Sequence, residues 1–160
     1  MGEVQIGVIG FNKKQTALIQ DAAFFFGKIL LGTRMSYQLD IEKVGRLDVQ
    51  GECISEDACR NPRWFTINLR GRKDDDDVIK TLAHEMVHVK QYARNELGKE
   101  MALARGGQGL RIATRWQGEF WEPKNGEDAY WDAPWEIEAY GREVGLYQRW
   151  IEYYKEKYGK

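Results

Sequence analysis

Both histidines of this chain fall in one pentapeptide, His84-Glu85-Met86-Val87-His88, the pattern H-E-x-x-H. On a helix, residues four apart share a face, so both imidazoles can address one ion. Glu85 directly follows the first histidine, where its carboxylate can reach a metal-bound water and take its proton. The residue types and spacing point to zinc-assisted hydrolysis, with His84 and His88 as metal ligands and Glu85 as general base.

A catalytic zinc usually takes three protein ligands and keeps a position for water. No histidine remains, and both cysteines lie upstream, so the third ligand is expected to be a carboxylate. The segment Pro134-Trp135-Glu136-Ile137-Glu138-Ala139-Tyr140 opens a second helix, with Asp132 as N-cap and Pro134 in the first turn. There Ile137, Tyr140, Val144, Tyr147, Ile151 and Tyr154 form a stripe expected to face the core. Glu136 and Glu138 flank that stripe on opposite sides. Gly141 and Gly145 lie on the Glu138 side, where two residues without side chains suggest close approach of another group. Glu138 is therefore the expected ligand and Glu136 the alternative. For the oxyanion of a tetrahedral intermediate, Tyr130, Tyr140 and Arg142 are candidate donors.

The stretch Thr81 to Tyr92 resembles the active-site helix of zincin metallopeptidases. With Glu136-Ile137-Glu138-Ala139, the chain is similar to the compact gluzincin-like group, including SprT-like and ImmA/IrrE-like proteins and small metallopeptidases of phage genomes. In the ImmA/IrrE-like proteins the third ligand is a Glu followed by Ala, which Glu138-Ala139 matches. Trp116-Gln117-Gly118 and Pro134 to Ala139 also look like the phage-type peptidases. The resemblance covers about Val78 to Gly145. It implies an α+β zincin-like domain over residues 1–160, in which a mixed or antiparallel sheet packs against the H-E-x-x-H helix and a C-terminal helix. It also implies one catalytic Zn2+ and a peptide or protein substrate. The longer gluzincin signature has Asp four residues after the ligand Glu, whereas position 142 is Arg.

Composition agrees with a small enzyme of a single domain: 42% of residues are hydrophobic and the net charge is −1. That charge offers no global field for nucleic acid, although the basic stretch Arg105 to Arg115 could touch phosphate. A SprT-like resemblance leaves open a nucleic-acid-associated peptidase; a zinc-binding regulatory or structural protein of a virion is the other alternative. No apolar run is long enough to span a membrane. With Glu3 in place of a basic start, no secretory signal is expected, so the anticipated location is the cytoplasm of a bacterium or phage-infected host. Cys53 and Cys59 are then expected as free thiols. Oligomeric state is open.

The elements that must position these residues can be read from periodicity. Strands are expected at Val4 to Ile9, Met35 to Val44, Arg46 to Ile54 and Arg63 to Arg70, where Phe65, Ile67 and Leu69 alternate with Trp64, Thr66 and Asn68. A helix is expected from Lys13 to Leu31, stopped by Gly32. Another runs from Asp76 to Leu97, started by Asp74 to Asp77 and stopped by Gly98. A strand pair is expected around Ile112 to Phe120, a turn at Asn125-Gly126, and the last helix from Pro134 towards Lys157. By analogy with compact zincins, Arg63 to Arg70 is the candidate edge strand for an extended substrate, the competing reading being an internal strand. Trp116, Trp121, Tyr130 and Trp131 are candidates to line the cleft or to join the core.

Overall fold

The computed structural model describes residues 1–45, 48–57, 59–71, 74–103, 107 and 109–159. Strand β1 (Val4–Ile9) leads into helix α1 (Lys13–Leu31), which returns the chain to β2 (Tyr37–Val44) running parallel to β1. Asn12 caps α1 by accepting from the Gln15 N–H at 2.8 Å, and Gly32 ends it. Ala22, Ala23 and Phe26 seat the helix on the sheet. At Gly27 a Cβ would stand 2.2 Å from the Tyr37 hydroxyl oxygen, so only glycine allows that approach.

Two more strands complete this first sheet, β3 (Gly51–Ser55) and β4 (Trp64–Arg70), in the order β1-β2-β4-β3. The β2–β4 pair is parallel and the β3–β4 pair antiparallel. Phe65, Ile67 and Leu69 of β4 point into the core, as their alternation requires. Flanked on both sides, β4 is internal, so the expectation of an edge strand at Arg63 to Arg70 is corrected. The edge is β3, which begins five residues later than expected; Arg46 and Leu47 lie outside the described residues.

Helix α2 (Asp75–Ala93) carries the pentapeptide across this sheet. Asp74 caps it, accepting from the Asp76 N–H at 2.9 Å, and three aspartates occupy its first turn. It ends four residues short of Leu97, because Asn95 takes a left-handed conformation (φ 59°) and turns the chain back. Gly98 is thus not a helix stop. It lies in β5 (Leu97–Leu103), an element not anticipated, which pairs antiparallel with β6 (Leu110–Trp116). Gln117 and Gly118, both at positive φ, make the two-residue turn to β7 (Glu119–Phe120). The tryptophans Trp116 and Trp121 anchor this second sheet against Trp135, with ring centroids 6.3 and 5.1 Å away. They are a structural anchor, whereas Tyr130 and Trp131 line the cleft.

The last helix, α3 (Pro134–Tyr158), packs against α2. Its N-cap is Ala133, not Asp132, whose carboxylate accepts from the Asp128 N–H instead. The expected core stripe needs a larger correction. Ile137 and Val144 are 57% and 64% exposed, while Glu136, Ala139, Leu146, Tyr147 and Trp150 are buried. The inward face is rotated about one residue from the apolar pattern at the start of the helix. The architecture is α+β, with one mixed and one antiparallel sheet. Among the described residues no helix is long and apolar enough to cross a membrane.

Candidate metal centre

Burying polar side chains in mid-helix is costly unless each finds a partner. His84, Glu85 and His88, each under 9% exposed, sit at the centre of α2 where it passes beneath β3. Their partners come from α3. Glu136 brings one carboxylate oxygen to 3.1 Å from His84 Nε2 and the other to 3.2 Å from His88 Nε2. The ligand atoms of these three buried residues lie within 4.8 Å of one another, an arrangement that could hold a metal ion.

The opposite ring nitrogens are committed elsewhere. Gln91, fully buried, donates from Nε2 to the Trp135 carbonyl and to Glu138, both at 2.9 Å. Its Oε1 must therefore accept, and it accepts from His88 Nδ1–H at 2.8 Å. Glu143, two turns beyond Glu136, faces His84 Nδ1 at 3.3 Å. With both Nδ1 hydrogens used outward, each Nε2 would, once its own proton is displaced by an ion, direct a lone pair at the point the Glu136 carboxylate faces. Two imidazole nitrogens and a carboxylate are a donor set suited to a divalent transition ion, and outer partners of this kind fix the tautomer.

Charge within the group follows the same geometry. Burial alone would raise the Glu136 carboxyl, yet hydrogen bonds from both histidines bring it down to about 2. For His88, burial favours the neutral ring, but the bond to Glu136 and the charge of Glu85 outweigh it and hold its pKa above the usual value. Glu85 behaves oppositely: burial pushes it up to about 7 against the pull of the histidines. Its carboxylate has no hydrogen-bond partner among the described residues and faces the cleft. Gly51 of β3 passes so close that a Cβ there would stand 3.2 Å from Glu85 Oε1.

Glu138, the expected ligand, is brought instead to Lys90 and Gln91 at 2.8 and 2.9 Å, with Arg142 at 3.4 Å. Two residues turn an α-helix by about 200°, so Glu136 and Glu138 cannot face the histidines together. Burial would raise Glu138, but its bonds to Lys90 and Gln91 hold it below the ordinary range. It neutralises the buried ammonium of Lys90, which also pairs with Glu96 at 2.8 Å. The alternative, Glu136, occupies the position beside the histidines. At Gly141 and Gly145 an added Cβ would meet nothing within 4 Å, so that pair marks open surface rather than close approach.

Of the three oxyanion candidates, two reach the centre. The Tyr140 ring packs edge-on against His84 at 4.4 Å, and its hydroxyl meets that of Tyr130 at 3.0 Å. Burial, the bond to Tyr140 and the charge of Glu136 all push the Tyr130 phenol up, so it keeps its proton as a donor. Arg142 turns to Glu138 and away from the cleft. Both cysteines are free; burial and the charge of Glu85 push the Cys53 thiol far up, which keeps it from acting as a thiolate. Within Arg105 to Arg115, Arg105, Gly106 and Gln108 lie outside the described residues, while Arg111 pairs with Glu122 and Arg115 with Glu100.

No protein-family model, curated protein or solved structure matches this chain.

Gln91, Glu143 and Gly51 were not singled out from the sequence. A signal existed for Glu143: with Glu136, Ala139, Leu146 and Trp150 it repeats at helical spacing on one face. The carboxylates on that face masked it from a search for apolar residues.

Proposed function

We propose that this protein is a zinc-dependent peptidase of the compact gluzincin kind that the sequence resembles, close to the SprT-like, ImmA/IrrE-like and phage-type enzymes. His84, His88 and Glu136 would hold one zinc ion. When bound, zinc polarises a carbonyl and acidifies a water at its open position. The single observation that carries the reading is Glu85, a buried carboxylate with no hydrogen-bond partner, beside a convergent His-His-Glu group.

A purely structural site has no use for such a group, whose carboxylate faces the cleft instead of a protein partner. As a base it accepts a proton from attacking water and then gives it to the leaving amide nitrogen. Gly51 confines the Glu85 carboxylate from above. Glu143 and Gln91 hold the two imidazole rings. Tyr130 offers its hydroxyl hydrogen to the oxygen on which negative charge develops, with Tyr140 holding the phenol in place.

Peptide cleavage by wild type and Glu85→Gln, each stripped and reloaded with zinc, tests the proposal. The variant is expected to keep its zinc and to lose activity about 10²–10⁴-fold. Undiminished cleavage by Glu85→Gln, or wild type that takes up no zinc on reconstitution, would refute it. Zinc uptake without cleavage of any peptide would favour the binding-module alternative.

A further inference from the structure

On the His84 side of the candidate metal centre the cleft widens into a second cavity of about 540 Å³. Val49, Gly51, His84, Glu85 and Tyr130 border both this cavity and the metal-centre part, so the two are continuous. One wall is aromatic. Tyr130, Trp131 and Tyr140 line it at 42%, 63% and 37% exposure, and among the described residues nothing covers them. The Trp131 and Tyr140 rings lie 5.2 Å apart with 32° between their planes, offering ring faces to whatever enters.

The opposite wall is acidic. Asp77, in the first turn of α2, and Glu143 of α3 bring carboxylates to it, and Glu143 is held there by His84 Nδ1 at 3.3 Å. Among the described residues bordering the cavity Lys80 is the one lysine or arginine, and its ammonium lies over the Tyr147 ring, 4.9 Å from the centroid. The far side of the metal centre has the other sign. There a cavity of about 530 Å³ is bordered by Arg60, Lys99 and Arg115. Its two carboxylates are engaged: Glu100 meets Arg115 at 3.1 Å, and Asp57 accepts from the Arg63 N–H at 2.7 Å. The cleft changes sign from one end to the other.

We infer that the cavity beside His84 is a subsite for a basic side chain, arginine before lysine, on the substrate residue next to the scissile bond. The inference rests on the peptidase reading and names its side-chain specificity. Arginine has an apolar stem and a planar cation that both stacks on aromatic faces and pairs with carboxylates. Trp131 and Tyr140 receive the plane, and Asp77 and Glu143 neutralise its charge. An apolar side chain would set those carboxylates against hydrocarbon, and an acidic one would be repelled. At the other end Lys99 and Arg60 turn a basic side chain away, so it seats on one side of the scissile bond only.

The test uses the full-length, zinc-loaded Glu85→Gln variant and two fluorescent peptides. They are identical except for the central residue, which is arginine in one and citrulline, its uncharged isostere, in the other. The arginine peptide is expected to bind about tenfold tighter or more. Trp131→Ala and, separately, Asp77→Asn should each shrink that ratio several-fold, and Lys80→Met should enlarge it. Equal affinities, no binding of either peptide, or a ratio that none of the three substitutions changes overturns the inference. So does a ratio lost in Glu100→Gln alone, because the arginine would then sit at the far end of the cleft. Since binding is read without cleavage, failure of the peptidase reading shows separately, as arginine-selective binding by a wild type that hydrolyses neither peptide.

Discussion

In the first half of α3 the carboxylates of Glu136 and Glu143 turn inward while Ile137 and Val144 face solvent. In the second half Leu146, Tyr147 and Trp150 are buried, and Trp150 packs among Phe25, Phe26, Tyr153 and Tyr154. One helix thus follows two rules. Apolar burial fastens the second half and contributes about 25 cal/mol per Å². Placing carboxylates inward and isoleucine outward in the first half costs stability, and the arrangement holds because two imidazoles, and by our proposal an ion, meet those carboxylates. On the proposed reading, stability and function are separated along a single element.

The sharpest way to break this contrast is Glu136→Ala. Zinc binding should be lost, whereas Glu138→Ala should retain near one ion per chain; metal analysis of the two purified variants decides. If Glu138→Ala alone loses the metal, the functional half of the helix has been misassigned. On the other half, Trp150→Ala should cost about 3–5 kcal/mol in denaturant unfolding yet leave metal stoichiometry unchanged. An unfolding midpoint equal to wild type would show that the second half does not fasten the helix.

A smaller effect concerns pH. His88 holds its proton above the usual imidazole value, so without metal its pairing with Glu136 stabilises the fold below pH about 6.5, and this contribution fades as pH rises through the raised value. An ion must displace that proton. Apparent zinc affinity should therefore climb about tenfold per pH unit until His88 has deprotonated. Calorimetric titrations in buffers of different ionisation enthalpy would reveal the released proton; a flat profile between pH 6 and 7 counts against the pairing. The smallest effect is expected for Ile137→Ser, within about 0.5 kcal/mol of wild type. A loss of several kcal/mol would place Ile137 in a core after all.

Helix α1 and strand β1 were legible to the residue, and β2 and β4 to within two residues at their starts, because their apolar periodicities and caps agree with their surroundings. The start of α2 was equally plain from its aspartates. Its end was not: a left-handed Asn95 stopped it before the glycine that looked like the signal. Strand β5, Leu-Gly-Lys-Glu-Met-Ala-Leu, alternates too weakly to announce itself and exists through its pairing with β6. At the site, His84, Glu85 and His88 stood out through type and spacing, while the carboxylate opposite them was misjudged. Glu136 and Glu138 both border an apolar stripe, and a stripe drawn from hydrophobicity cannot show that the buried face is partly acidic.

The sequence by itself determined that two imidazoles and a carboxylate share one turn of a helix, since i, i+1 and i+4 spacing is local geometry. Only the tertiary structure decided which glutamate of α3 meets them, what holds their outer nitrogens, and which strands border the cleft. Those are contacts between segments about fifty residues apart in Glu136 and His84, set by how α3 rolls against α2. A rotation of two residues, about 200°, exchanges Glu136 for Glu138, and no periodicity within either helix records it.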